Sequence, residues 1–126
     1  MDSNTKLTNK ILRYGLGVTI LWFGINQLIS PNEWVGYLPG WAFAQSLIST
    51  TILVYINGLF ETITGLMLIT NQYTKIVSIL LSLHMILIIF HLGYNDLAVR
   101  DFGILVGLIA LSTISNNNSI LNKNKK

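Results

Sequence analysis

Two ionisable residues stand where the chain is otherwise uncharged. Glu61 interrupts an apolar run that extends from Trp34 to Thr70, and His84 lies inside 76–95, a stretch with no Asp, Glu, Lys or Arg. In apolar surroundings a carboxyl or imidazole is costly unless it pairs or changes protonation, and the two together form an acid–base couple able to pass a proton. Glu61 precedes Thr70 by nine residues, and His84 follows Lys75 by nine. By helical rise, both lie roughly 13 Å from the same end of their helices. The two runs are consecutive, so they are expected to be antiparallel neighbours. A Glu61–His84 hydrogen bond or ion pair is therefore predicted, as a candidate catalytic proton relay.

A second polar layer is expected further along. Asn26 and Gln27 close the first apolar run. Asn57 lies one turn before Glu61 and His91 two turns after His84, each on its partner's helical face. Arg100 and Asp101 open the last run, with Asp96 just before them. By the same rise, the groups on the runs themselves reach roughly 20–24 Å from that end. Asn26, Gln27, Asn57, His91, Asp96, Arg100 and Asp101 are thus candidate ligand-binding residues around an internal polar cavity. Plain interhelical hydrogen bonding is the competing role for the three amides. The i,i+4 spacing of Asp96 and Arg100 also suits a local ion pair.

The elements that must position these groups follow from composition. The chain has 126 residues, 52% hydrophobic and 10% charged, with a mean hydropathy of +0.58. A soluble domain carries about 25% charged residues, and a small one leaves much of its surface in water. A free soluble monomer is therefore excluded, and the apolar content excludes a disordered chain. Helical runs of about 20 apolar residues cross a bilayer. Four spans are predicted, at 10–30, 44–70, 75–94 and 97–115, in a single domain covering 1–126 with a polar, frayed tail at 116–126. The expected fold is all-α: an integral membrane four-helix bundle. The first run is too long for a cleaved secretory signal and no small-residue cleavage site follows it.

Charge sets the expected orientation. Lys6, Lys10, Arg13, Lys75, Lys123, Lys125 and Lys126 fall on one side of a four-span arrangement, and only Arg100 falls on the other. The positive-inside rule then places both termini in the cytoplasm of a cell membrane. The net charge of +3 reads as this signal and not as a nucleic-acid surface.

The first outer loop carries a capping-box pattern, Ser30-Pro31-Asn32-Glu33, followed by Trp34, Tyr37, Leu38 and Trp41 before and after a Pro39-Gly40 stop. A short interfacial helix is expected there. Its rings are read either as an aromatic belt at headgroup level or as a lid over a ligand site. Gly15, Gly17, Gly24, Gly58, Gly65, Gly103 and Gly107 lie within the spans, the last two as a GxxxG. Small residues of this kind permit close helix approach, within the bundle or in a homo-oligomer.

Cysteine is absent, which removes disulfides, thiolate metal sites and thiol nucleophiles. No dinucleotide-binding, P-loop, HExxH or GxSxG motif is present. The two histidines sit seven residues apart on one predicted helix, about 10 Å along its axis, and cannot share one metal. No metal or redox cofactor is evident in the chain itself.

Three stretches resemble the DoxX family of small membrane proteins: Leu12–Trp41 (LRYGLGVTILWFGINQLISPNEWVGYLPGW), Asn57–Leu68 (NGLFETITGLML) and Gly93–Gly103 (GYNDLAVRDFG). The resemblance implies a four-helix membrane fold. Related proteins include a membrane subunit of an archaeal thiosulfate:quinone oxidoreductase and membrane partners of redox or oxidative-stress complexes. By resemblance, then, the chain is expected to be a membrane subunit that handles quinone or anchors an oxidoreductase partner. The alternative is a non-enzymatic anchor, assembly factor or chaperone. A small transporter ranks last, since the sequence carries no inverted repeat or broken helix.

Overall fold

The structure, a computed structural model, describes residues 2–44 and 48–123. Among them every regular element is helical. The elements are α1 (Ser3–Ile29), α2 (Pro31–Trp34), a 3₁₀ turn (Val35–Tyr37), α3 (Gly40–Ala44), α4 (Thr50–Ile69), α5 (Thr74–Leu92) and α6 (Asp96–Lys123). The long helices differ from expectation mainly at their ends. Helix α1 starts a full two turns earlier than the apolar run. Helix α4 starts at Thr50, after Ser49 as its N-cap, and not at 44. Of the residues expected to open that span, 45–47 lie outside the described residues. The backbone of α6 stays helical to Lys123, into the tail read as frayed, and 124–126 lie outside the description.

Three helical segments are long and apolar enough to cross a membrane: Thr50–Ile69, Thr74–Leu92 and Asp96–Ser115. Helix α1 is 27 residues long, but Arg13, Asn26, Gln27 and its polar first turns dilute its hydropathy. The protein thus has the helices of an integral membrane protein.

Helix α1 packs along α4, and α5 along α6. The two pairs meet through α1 and α6. They share an apolar core of Ile20, Leu68, Val77, Leu81, Met85, Ile104, Leu105, Leu108 and Leu111. The expected α4–α5 neighbours touch only along a thin seam. Their connection is tight at one end: Asn71 and Tyr73 adopt left-handed φ of 59° and 49°, and the Gln72 amide donates to Met67 O at 2.8 Å. At the other end the seam parts around a cavity.

The α1–α4 contact is the closest in the molecule. The buried residues of α1 are Asn9, Arg13, Gly17, Ile20, Gly24 and Gln27, a single stripe at three- and four-residue steps. Gly24 faces Gly58, and Gly17 faces Gly65. A Cβ on Gly24 would stand 2.5 Å from Thr62 N and 2.9 Å from Gly58 O, and one on Gly65 would stand 2.8 Å from Leu21 N. These glycines, seven residues apart on each helix, let two backbones approach to a distance no other residue allows. The GxxxG of α6 does not make such a backbone contact among the described residues: Gly103 has nothing within 4 Å of an added Cβ, and the nearest atoms to one on Gly107 belong to the Leu16 side chain, at 3.1 Å and beyond.

The α5–α6 turn is built differently. Gly93, with φ +66° and ψ −158°, ends α5. Asn95 then caps α6, its side chain accepting from Ala98 N at 2.8 Å and donating to Leu92 O at 3.1 Å. The cap fixes the start of α6 and with it the positions of Arg100 and Asp101, one turn in.

Overpacking against backbone costs about 1–3 kcal/mol. Gly24→Ala should therefore lower the thermal midpoint of the protein in mild detergent by that equivalent, whereas Gly103→Ala should leave it in place. Equal midpoints for the two variants would contradict the glycine contact.

Candidate functional site

Glu61 is 4% exposed, at the α1–α4 interface. Its carboxylate accepts from Gln27 Nε2 at 2.6 Å on Oε2 and from Asn57 Nδ2 at 3.3 Å on Oε1. Asn57 Nδ2 also donates to Gln27 Oε1 at 2.7 Å. The three side chains form a closed ring. It exists because the Gly24–Gly58 contact brings α1 within reach of α4: Gln27 lies one turn beyond Gly24, and Asn57 directly precedes Gly58. A carboxylate surrounded by apolar side chains needs such donors, and charge-assisted hydrogen bonds supply them most strongly.

His84 approaches from α5. Its Nε2 lies 3.5 Å from Glu61 Oε1. That is within reach of an ion pair but forms no hydrogen bond, and Nε2 is buried without a partner among the described residues. The imidazole packs against Phe60, ring centroids 4.9 Å apart. The expected pair is thus adjacent, while the bonds to the carboxylate come from the two amides.

This cluster forms the floor of a cavity of about 380 Å³. Its walls are mostly apolar, with Phe23 from α1, Leu53 and Val54 from α4, Met85, Leu87 and Ile88 from α5, and Leu97 from α6. Above it lie Trp34, Tyr37, Leu38, Pro39, Trp41 and Ala42 from the loop between α1 and α4. That loop folds as three short segments and not one helix. Ser30 is the N-cap of α2 and Pro31 opens it, but no side-chain capping bond forms. Ser30, at φ −128° and ψ 61°, lies outside the extended region from which an N-cap side chain reaches the next turn. The rings hold the loop together instead. Trp34 stacks edge-on against Phe23 with centroids 5.8 Å apart, and Tyr37 packs at the same distance from Trp34.

Arg100 and Asp101 complete the wall. Asp101 is 3% exposed, and its Oδ1 accepts from Arg100 Nε at 2.9 Å and lies 2.8 Å from Nη2. The guanidinium sits over the Phe23 ring, 4.3 Å from its centroid. The i,i+4 spacing suited a pair with Asp96, and this is corrected: Asp96 is exposed in the first turn of α6, where water solvates it, so the arginine goes to the buried carboxylate, whose charge is costlier to leave alone.

The remaining candidates divide. His91 lies along the cavity wall, its Nδ1 2.7 Å from Leu87 O and its ring 6.2 Å from that of Trp41. Asp96 borders a shallower, more polar depression beside it with Gly36, Gly40 and Asn95. Asn26 does not join: its Nδ2 donates to Trp22 O at 2.7 Å, on the side of α1 away from the stripe. No group of three metal-ligating side chains occurs among the described residues. Phe23, Phe60 and Met85 were not anticipated as site residues. Phe23, one turn before Gln27 on α1, was the one with a signal in its spacing.

The DoxX family model matches residues 9–93, two-thirds of the chain's length. The chain belongs to the DoxX family. The match includes the Gln27–Asn57–Glu61 ring, His84 and His91, and ends where the turn into α6 begins. Asp96, Arg100 and Asp101 of this DoxX protein therefore lie beyond the matched segment. No curated protein and no solved structure matches the chain.

The ring makes a prediction for the DoxX chain. Removing one partner of a buried bond to a charge costs about 1–3 kcal/mol, while removing both costs much less. Gln27→Met should lower stability by that amount, and adding Glu61→Met should cost less than the sum of the single changes. Strict additivity in a double-mutant thermal-unfolding cycle would refute the coupling.

Proposed function

We propose that the protein is a four-span membrane subunit of a redox complex that binds a quinone in the cavity. The observation that carries this reading is His84 Nε2, which lies 3.5 Å from Glu61 Oε1 and makes no hydrogen bond among the described residues, at the polar floor of a largely apolar slot. A quinone needs an apolar slot for its ring, a hydrogen-bond donor for a ring carbonyl and a proton source nearby. The slot's residues fit each requirement. His84 Nε2 donates to a carbonyl oxygen, Glu61 takes up and returns a proton at Oε1, and Gln27 and Asn57 hold the carboxylate in place. Trp34, Tyr37 and Trp41 cover the slot and keep water out. A bound quinone supplies two-electron, two-proton redox chemistry. The electrons come from a partner oxidoreductase, since the chain carries no cofactor motif of its own.

In this reading α1 is the fourth span of a four-helix bundle, and the α1–α4 loop lies at the outer interface. Both termini are cytoplasmic, with Arg100 on the opposite side. The open face at Gly103 is suited to a neighbouring helix, of the redox partner or of a second copy.

Protein purified from its native membrane in mild detergent is expected to carry quinone in its lipid extract. Loss of a hydrogen bond to the head group is worth about tenfold in affinity. His84→Leu should reduce the bound quinone by that factor, and Glu61→Gln should slow quinone reduction in membranes. Wild-type extracts without quinone enrichment, or variants with unchanged content and turnover, would overturn the assignment.

The topology is open to a separate check, since the chain has no cysteine of its own. Lys6→Cys and Gln72→Cys should react with an impermeant maleimide only after membranes are inverted. Tyr94→Cys, at a side chain that is 99% exposed, should react in intact cells. Labelling of all three from one side would rule out the proposed spans.

A further inference from the structure

Arg13 lies at the opposite end of the molecule from the cavity. It is 8% exposed, and its Nε is buried without a hydrogen-bond partner among the described residues. The ring of Tyr14 packs beside it, its centroid 5.1 Å from the guanidinium carbon. A guanidinium keeps its charge wherever it is placed, so burial cannot be relieved by losing a proton. A buried cation without a counter-charge is among the costliest arrangements a protein can hold.

None of the chain's five acidic side chains meets this need. Asp101 is engaged by Arg100, and Glu33 and Asp96 lie at the far end. Glu61 is held by Gln27 and Asn57. The glycine pairs set it level with Leu21, eight residues and roughly 12 Å beyond Arg13. Asp2 is exposed, eleven residues before Arg13 and roughly 16 Å away along the axis.

The surroundings of Arg13 are instead basic and polar. Asn9, one turn earlier in the same stripe, is 8% exposed. Among the described residues it makes one long bond, from Nδ2 to Ser115 Oγ at 3.4 Å. That bond joins the start of α1 to the last apolar turn of α6. Lys6 and Lys10 are exposed three to seven residues before Arg13 on its flank. Three cations and an under-used amide thus converge where α1 enters its apolar stretch.

We propose that Arg13 and Asn9, flanked by Lys6 and Lys10, form a binding site for a phosphate group: the headgroup of an anionic phospholipid. The fork of the guanidinium matches phosphate oxygens in a way no other side chain does. A basic recess between membrane helices at headgroup depth is where anionic lipids are held. The site is separate from the cavity and does not depend on the quinone reading.

The test uses the full chain in mild detergent. Native mass spectrometry measures retained phosphatidylglycerol against phosphatidylcholine, and thermal unfolding measures protection by each lipid and by inorganic phosphate. Wild type should prefer phosphatidylglycerol by about tenfold, the worth of a charge-assisted bond, and Arg13→Met should abolish the preference. In delipidated protein Arg13→Met should unfold at a higher temperature than wild type, since it removes an unpaired charge. Protection by inorganic phosphate equal to that by phosphatidylglycerol would keep the phosphate site and assign it to a free anion. Equal retention of the two lipids by wild type, or a preference that survives Arg13→Met, would overturn the proposal. So would an Arg13→Met chain that fails to fold, because the protein itself would then be what holds the guanidinium.

Discussion

The structure depends on satisfying one carboxylate. Glu61 is almost fully enclosed in a molecule whose composition leaves few polar groups for the interior. The chain meets this cost by bringing two amides to it from one turn of α1 and one turn of α4. Those amides reach it only because glycines at 17, 24, 58 and 65 let the two backbones nearly touch. The polar site and the tightest packing are thus one feature. Without the glycine contact the donors would stand too far away, and without the donors the contact would enclose an unsatisfied charge.

The same logic separates what sequence reasoning could reach from what it could not. The depths of Glu61 and His84 are arithmetic on helical rise, and the structure puts those residues 3.5 Å apart. Depth does not give direction. Asn26 and Gln27 are neighbours in sequence, yet adjacent helical positions differ by about 100°, so one bonds its own backbone while the other enters the ring. The spacing of Arg13, Gly17, Ile20, Gly24 and Gln27 carries that direction, and in hindsight it singles out Gln27. The Gly17/Gly24 and Gly58/Gly65 pairs were legible as small residues but not as partners, because pairing needs the relative register of two helices. The GxxxG at 103–107 is the more familiar motif, but its first glycine faces open space. The Arg100–Asp101 pair was missed because i,i+4 rules describe exposed helices, whereas a buried carboxylate outbids an exposed one for the available cation.

The thin α4–α5 seam explains why the cavity sits where it does. The turn at 70–73 holds those helices together at one end only. Their other ends are tied to different partners, α4 to α1 and α5 to α6, so a gap opens between the pairs. Bulky side chains could have filled it. Instead it is walled by Leu53, Val54, Met85 and Ile88 and roofed by aromatic rings, which leaves a cavity of about 380 Å³ above the Glu61 floor.

The two arginines near the ends of the bundle show opposite solutions to one problem. At the cavity end, Arg100 and Asp101 cancel within a single helical turn, and the Phe23 ring covers the guanidinium. At the other end, Arg13 is more deeply enclosed than Arg100 yet has no acid within reach. A fold that neutralises one arginine so fully does not leave another unmatched for want of carboxylates. Asp2 could have stood one turn from Arg13 instead of three, at no cost to the apolar stretch. A charge without its counterpart on the same chain is consistent with an anion supplied by the surroundings, and the headgroup layer offers one at that depth. The cavity and the basic cluster at Arg13 then divide the molecule: one end gathers donors around a charge of its own, and the other presents a charge for the membrane to match.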